Sequence, residues 1–264
     1  MSQAFARTAL LVGPEGMGAL AAARIAVFGL GGVGSWAAEA LARSGVGSFL
    51  LVDDESISES NINRQVHATT RTIGLPKAEA MKARILEINP EARVDARFEH
   101  YSELSAPRLL DPSLSYVVDA IDTVARKVDL ILRAQAMGVP VISSMGAGDK
   151  LDPTRLEIAD IYATDVCPLA RAMRKRLRRR GVRSLKVVFS REEPRRPYEA
   201  PRAGDEGDAL RPGKSASPGS NAFVPPAFGL AIAAEIVKDI AARAAPAGAA
   251  DARDAATRDA APKE

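Results

Sequence analysis

The sequence lacks the residues on which several classes of protein depend. Its 264 residues include one cysteine, Cys167, so no internal disulfide can form, which favours a reducing, cytoplasmic location. No apolar run reaches the roughly 20 residues of a membrane-spanning helix, so no membrane association is predicted. The first residues carry no pattern of an export signal. Paired C-x-x-C motifs are absent, which excludes a zinc site built from them.

Short apolar runs alternate with helical patterns along the first half of the chain. Hydrophobic content of 47% and charged content of 26% are those of a globular protein, and 264 residues can bury one sizeable core. This alternation is typical of a doubly wound parallel sheet. The predicted strands are Arg24 to Phe28, Ser48 to Val52, Arg93 to Phe98, Ser115 to Val118 and Val139 to Ser143. The predicted helices run from about Val33 to Arg43, Pro76 to Asn89 and Thr123 to Met137.

The second half of the chain predicts a smaller C-terminal extension of strands and helices. Strands from Arg155 to Tyr162 and from Ser184 to Phe189 bracket an arginine-rich helix, and an apolar helix covers Phe228 to Ile240. We therefore predict an α/β fold with a mostly parallel, Rossmann-like sheet. Residues 1–242 form one predicted domain with a flexible loop at about 192–220, followed by a disordered tail at 243–264.

A glycine motif predicts a nucleotide site. Gly29, Gly31 and Gly34 fit G-x-G-x-x-G between a strand and a helix, where bare backbone and a helix N-terminus can receive phosphates. Asp53 ends the next strand, where an acid can bind ribose hydroxyls. A tight turn with a helix cap is the simpler alternative, but strand, glycines, helix, strand and acid together favour a nucleotide.

Two cations and a second acidic residue indicate that the nucleotide is a triphosphate. Arg64 and Lys77 follow the second strand, where a nicotinamide enzyme needs a slot for its ring and a triphosphate needs positive charge. Asp122 follows the fourth strand on the ligand side of the sheet and could hold Mg²⁺ on phosphates. The alternatives are solvated surface for the two cations and a helix cap for Asp122.

A basic segment is the electrostatic anomaly of the chain. Arg171 to Lys186 contains nine basic residues and no acidic one, although the net charge is only +3. Its few aromatic residues favour contact with a nucleic-acid backbone over base stacking; a solvated helix face is the alternative. Cys167 precedes this helix, and we interpret it as a small structural residue, with a thioester-forming role as the alternative.

Several motifs in order carry a resemblance to a known family. They read G-L-G-G-V-G-S-W, V-D-D-E-S-I-S-E-S-N-I-N-R-Q-V-H, G-L-P-K-A-E and V-V-D-A-I-D. Over residues 4–240 the chain resembles the E1-like adenylating enzymes, and within them it is most similar to tRNA threonylcarbamoyladenosine dehydratases. The resemblance implies ATP-dependent cyclisation of N6-threonylcarbamoyladenosine in tRNA through an acyl-adenylate. The basic segment Arg171 to Lys186 would then bind tRNA.

The resemblance also implies site residues and partners. Phosphates and ribose would lie on Gly29, Gly31, Gly32, Gly34, Asp53, Glu55, Arg64, Gln65 and Lys77. Asp122 would hold Mg²⁺. In a homodimer, Arg7 would reach the γ-phosphate of the ATP bound in the partner subunit. A sulfur-transfer protein is a further possible partner. The sequence departs from the family pattern at Glu55, where a second Asp is frequent, and at Ala4, where an Arg is common.

Three other functions remain open at this point. The first is an activator of a ubiquitin-like or sulfur-carrier protein, which acts on a Gly-Gly tail. The second is a nicotinamide-dependent dehydrogenase, which would bind NAD and not ATP. The third is a non-catalytic RNA-binding module with a decayed nucleotide site, which the intact set Asp53, Arg64, Lys77 and Asp122 disfavours.

Overall fold

The computed structural model describes residues 3–195 and 218–245. The central part of the predicted flexible loop, residues 196–217, and residues 246–264 of the predicted tail lie outside the described residues. The tail is predicted from the sequence to begin at residue 243, but residues 243 and 244 still belong to the last helix. Among the helices that are described, none combines the length and apolarity needed to cross a membrane.

Seven strands form one sheet in the order β3-β2-β1-β4-β5-β7-β6. Neighbouring strands are parallel except for β6, which pairs antiparallel with β7 at the edge. The strands are β1 (Arg24–Phe28), β2 (Ser48–Asp53), β3 (Arg93–Phe98), β4 (Tyr116–Asp119), β5 (Val141–Ser144), β6 (Leu156–Asp160) and β7 (Lys186–Ser190). The predicted fold class, a mostly parallel doubly wound sheet with a C-terminal extension, is confirmed.

Helices cover both faces of the sheet. They are α1 (Ala6–Ala22), α2 (Gly34–Arg43), α3 (Lys77–Ile88), α4 (Ala106–Leu109), α5 (Val124–Ala136), α6 (Pro168–Arg179) and α7 (Val224–Ala244). One core joins α1, α2, α3 and α7 to the sheet, and a second core joins α4, α5 and α6 to the opposite face. Within β1, Ile25 and Val27 enter the first core while Ala26 and Phe28 enter the second, which explains why this strand is apolar at every position after Arg24.

No helix is predicted from the sequence before β1, but α1 occupies this region. Its two parts meet at Gly13, whose φ of 76° breaks the helix, and Pro14 follows. Glycine and proline in this segment interrupt the apolar period from which a helix is recognised. The second part of α1 is recruited by packing, with Met17 and Leu20 buried in the first core.

The C-terminal half follows the prediction with wider helix bounds. The basic helix lies between β6 and β7, as expected, and begins at Pro168. The apolar helix α7 is longer than the predicted Phe228 to Ile240 and packs against α1 and α2, burying Phe228, Ile232 and Ile236.

The sheet brings three strand ends to one edge. Phe28, the last residue of β1, pairs with Val52 of β2 on one side and with Asp119 of β4 on the other. The loops that follow these strands therefore start side by side at the carboxyl edge, where open α/β sheets bind ligands.

Candidate functional site

The loop after β1 has a shape that only glycine allows. Gly29 has φ of 86°, and a Cβ atom there would lie 2.6 Å from the carbonyl oxygen of Ala120. A Cβ at Gly34 would lie 1.8 Å from the carbonyl oxygen of Gly29. The loop therefore turns tightly against the β4 loop and leads directly into α2, whose first N–H groups have no partner within the helix.

Asp53 connects the loops that follow β1 and β2. Its carboxylate accepts hydrogen bonds from the backbone N–H of Leu30 at 2.6 Å and of Glu55 at 2.9 Å. Burial raises the pKa of Asp53, and the positive charge of Lys77 partly opposes this rise. The side chain is thus held in one orientation at the base of both loops.

A cavity of about 740 Å³ opens above these strand ends. Nine of the predicted site residues line it: Gly29, Gly31, Gly32, Asp53, Glu55, Arg64, Gln65, Lys77 and Asp122. Gly34 shapes the loop from the first turn of α2. Arg7 is exposed on α1 and is not among the residues that line the cavity of its own chain.

Arg64 lies directly over the glycine loop. A Cβ at Gly32 would be 3.2 Å from Arg64 Cγ, so the arginine side chain packs closely against the bare backbone of this glycine. Its Nη1 donates to the carbonyl of Ser60 at 2.7 Å and to Asn63 Oδ1 at 2.8 Å, while Trp36 Nε1 donates to the Arg64 carbonyl at 2.9 Å. Burial lowers the pKa of Arg64, but a guanidinium remains charged.

Lys77 is a buried cation at the first residue of α3. Only 3% of its side chain is exposed, and its Nζ donates to the carboxylate of Glu55, which is 69% exposed. A cation at a helix N-terminus is opposed by the helix dipole, and an anion beside it relieves this repulsion. Glu55 supplies that anion here from the open side of the cavity.

Asp122 presents a carboxylate to the cavity from the loop after β4. It is exposed, and it accepts a hydrogen bond from the Thr123 hydroxyl at 3.0 Å. Residues 3–195 and 218–245 contain no group of three or more His, Cys, Asp or Glu side chains that could hold a metal. A single free carboxylate suits Mg²⁺, which commonly binds one or two carboxylates together with substrate phosphates.

Two buried polar atoms near the glycine loop lack a partner within the described residues, Gln65 Oε1 and His67 Nδ1. His67 Nε2 lies 3.0 Å from the Leu30 carbonyl oxygen, so it carries the hydrogen and Nδ1 is the bare acceptor. Burial lowers the pKa of His67 to about 4. The ring of His67 is therefore neutral at physiological pH and has a structural role beside the glycine loop.

Sequence reasoning missed several residues around the cavity. His100 lines the cavity with Tyr101 and Arg126. Beneath the cavity, Asp119 and Lys127 form a fully buried ion pair. The helical spacing of the sequence could have indicated the burial of Lys127, because this lysine falls on the apolar stripe of α5 that contains Leu130, Ile131 and Ala134.

The basic segment exposes most of its cations on α6. Arg171, Lys175 and Arg179 are exposed at helical spacing, whereas Arg174 turns inward and donates to the Thr164 carbonyl at 2.9 Å. Cys167 is 1% exposed at the start of α6, where a Cβ on Gly146 would lie 3.5 Å from its sulfur. This burial agrees with the structural interpretation of the cysteine.

Comparison with known proteins identifies the family of this chain. Residues 5–252 match the ThiF family. The chain is 44% identical over 243 residues to a tRNA threonylcarbamoyladenosine dehydratase of Bacillus subtilis, covering 91% of this chain and 95% of the relative.

Solved structures and a more distant relative complete the comparison. The crystal structure of E. coli tRNA N6-threonylcarbamoyladenosine dehydratase, TcdA, in complex with ATP is similar with a TM-score of 0.81 and 35% identity, over 93% of this chain and 97% of that one. Its complex with AMP gives a TM-score of 0.82. The E. coli sulfur carrier protein ThiS adenylyltransferase is 30% identical over 136 residues, which is 51% of this chain and 53% of that relative. The chain belongs to the ThiF family.

Proposed function

We propose that this protein uses ATP to cyclise N6-threonylcarbamoyladenosine in tRNA, with loss of one water from the modified base. The observation that carries the proposal is the convergence of Arg64, Lys77 and Asp122 on the cavity formed by the glycine loop. The similarity to TcdA, solved with ATP and with AMP, supports the same nucleotide here. A nicotinamide enzyme has no need of two cations at this position.

The reaction requires activation of a carboxylate. The threonyl carboxylate of the substrate attacks the α-phosphorus of ATP, the bond to the β-phosphate breaks, and pyrophosphate leaves. A neighbouring nucleophile on the same modification then attacks the acyl carbon, and AMP leaves with the oxygen that the substrate loses. The second step is intramolecular, so proximity provides much of its rate and no nucleophile of the enzyme is needed.

The protein positions the nucleotide and neutralises its charge. Arg64 and Lys77 would bind phosphates, and the glycine loop would receive them at the start of α2. The nucleotide competes with Glu55 for Lys77, so phosphate binding replaces one ion pair by another. Asp53 is the proposed ribose acceptor, and Gln65 Oε1 is an acceptor without a partner within the described residues at the cavity wall.

A divalent cation completes the proposed charge balance. Asp122 would hold Mg²⁺, which when bound neutralises charge on the phosphate oxygens. The exposed carboxylate and the hard oxygen donors of a triphosphate fit this ion.

The exposed face of α6 is the proposed tRNA-binding surface. Arg171, Lys175 and Arg179 point to solvent along one side of the helix and have no anionic partner among the described residues. Such a row suits a phosphate backbone. The one inward cation, Arg174, stabilises the helix against the Thr164 loop.

A homodimer would complete the site with Arg7 from the partner subunit. Arg7 is exposed on α1, and the same helix exposes Leu10 by 86% and Leu11 by 78%. Two exposed leucines beside a proposed functional arginine favour burial of this helix against a second copy. A sulfur-transfer protein is a further proposed partner.

Adenylation assays with two different acceptors test the function. AMP release from ATP that depends on tRNA carrying threonylcarbamoyladenosine is expected. Release that depends on a carrier protein with a Gly-Gly tail, and is indifferent to tRNA, would identify an activator of such a protein instead. Binding of NAD without affinity for ATP would contradict both.

A further inference from the structure

A charged cluster lies buried beneath the nucleotide cavity. Asp119, at the end of β4, and Lys127, on α5, are both completely inaccessible to solvent, and Lys127 Nζ lies 3.0 Å from Asp119 Oδ2. Ser143 on β5 donates its hydroxyl to the same Oδ2 at 2.6 Å. None of these three residues lines the cavity or has a part in the chemistry proposed above.

The cluster holds the turn that leads to Asp122. Lys127 Nζ donates to the Ile121 carbonyl at 3.1 Å, and Asp119 Oδ1 accepts from the Ile121 N–H at 3.3 Å. Both backbone polar groups of Ile121, the residue before Asp122, are therefore held by this buried cluster. The direction of the Asp122 carboxylate follows from the orientation of this turn.

The same turn supports the glycine loop. The carbonyl oxygen of Ala120 lies 2.6 Å from the position that a Cβ on Gly29 would take. The Cβ of Ala120 lies 3.2 Å from the position that a Cβ on Gly34 would take. Any shift of residues 120–122 would be transmitted to the backbone that faces the phosphates.

Stability alone does not explain a lysine at this position. Lys127 lies on the buried stripe of α5 with Val128, Leu130 and Ile131, where an apolar side chain would pack without desolvation of a charge. Buried ion pairs are often no more stabilising than apolar residues of similar size. Their value is greater where polar groups must be fixed in one orientation, as they are around Ile121.

We propose that Lys127 is a positioning residue for the nucleotide site. Through Asp119 and Ile121 it sets the direction of Asp122, and through Ala120 it supports the glycine loop. The inference rests on the proposed function, because it assigns Asp122 to the metal that accompanies ATP.

The test compares ATP binding with Mg²⁺ and in EDTA for the Lys127→Met variant. Methionine has a similar length and lacks the charge and the donors. Binding of ATP with Mg²⁺ is expected to weaken about tenfold, the usual effect of losing a group that orients a metal ligand. Binding in EDTA is expected to weaken by less than about threefold, because only the support of the glycine loop is lost while the contacts of Arg64 and Lys77 remain.

Two further variants separate positioning from general stability. Lys127→Arg retains a buried cation with donors and should recover most of the Mg²⁺-dependent binding. Arg24→Met breaks another ion pair, 2.7 Å from Asp111, at the amino end of β1 and far from the cavity, and both ATP affinities should stay at the wild-type level.

If Lys127→Met does not fold, Ser143→Ala is used in its place. This variant removes only the hydroxyl that orients Asp119, and a smaller loss of Mg²⁺-dependent binding, about two- to fivefold, is expected. A folded Lys127→Met protein, or in its absence Ser143→Ala, with the full Mg²⁺-dependent gain in ATP affinity overturns this inference alone. Wild-type protein that binds no ATP would overturn the proposed function as well.

Discussion

Asp122 is proposed to take part in AMP formation and not in the binding of tRNA. Its carboxylate is exposed in the cavity and bonds only to its neighbour Thr123 among the described residues, so its removal should leave the fold intact. Asp122→Ala is expected to lower AMP formation at least about 100-fold, as losses of electrostatic stabilisation usually do. Retention of tRNA should change less than about twofold, because α6 is untouched.

Single-turnover AMP release and filter binding of tRNA measure these two quantities. Glu59→Ala, also an exposed acid near the carboxyl edge but outside the cavity lining, is the matched control. Unchanged turnover in Asp122→Ala would remove Asp122 from the mechanism.

His67 predicts a pH dependence of stability. Its folded pKa of about 4 lies below the ordinary 6.5, so the unfolded chain takes up the proton first as the pH falls. The contribution of the neutral ring is complete above about pH 6.5 and is lost progressively towards pH 4, by up to about 3 kcal/mol. His67→Gln retains a donor for the Leu30 carbonyl and removes this titration.

Urea unfolding between pH 7 and pH 4 compares the two proteins, because every carboxylate is common to both. The free energy of unfolding of the wild type should fall more steeply over this range than that of the variant. Parallel curves would show that the histidine is not buried as described.

At the residue scale the sequence predicted what local pattern determines. The positions of Gly29 and Asp53 follow from a strand, a turn and a strand, and the structure brings both to the cavity. The pair of Lys127 with Asp119 could not be predicted, because it depends on how deeply one helix packs against the end of β4. The Lys77–Glu55 pair also depends on the meeting of two loops.

Among the described elements, α6 carries a row of exposed cations that is proposed to bind tRNA. Replacement of Arg171, Lys175 and Arg179 by alanine should weaken tRNA binding and reduce its salt dependence, by about one unit of log–log slope for each lost phosphate contact. ATP binding should be unaffected, because these side chains do not line the nucleotide cavity.

Binding of tRNA between 50 mM and 200 mM salt measures that slope. Arg93→Ala, which removes an exposed cation at the amino end of β3, is the control and should leave the slope unchanged. An undiminished slope in the triple variant would place the tRNA elsewhere on the molecule.

Element prediction succeeded where the apolar period was intact and failed where it was interrupted. β1 and β2 each contain a run of four apolar residues, and their predicted and observed bounds agree within one residue. The first helix was missed because Gly13 and Pro14 divide it, and its second half is held by tertiary contacts with α7. The helix propensity of a segment does not reveal a helix that is stabilised mainly by tertiary packing.

At the scale of the whole molecule, the proposed role of Arg7 requires two chains for one complete active site. If Arg7 acts in the partner's site, then Arg7→Ala and Asp122→Ala, each inactive alone, should complement each other in mixed dimers. Random exchange of equal amounts makes half of the dimers mixed, each with one intact site, so activity should return to about a quarter of the wild-type value.

AMP release after mixing and exchange of the two purified variants measures this recovery. A mixture of Asp122→Ala with Lys77→Ala is the control, because both residues belong to one chain's cavity; its mixed dimers contain no intact site. Absence of recovery in the first mixture would place Arg7 outside the partner's active site.

The most direct measurement is mass spectrometry of tRNA nucleosides after incubation of the protein with ATP and tRNA that contains threonylcarbamoyladenosine. The account predicts a nucleoside lighter by one water, formed only with ATP and in step with AMP, and not formed by Asp122→Ala. An unchanged nucleoside in the presence of protein that binds both ATP and tRNA would contradict it.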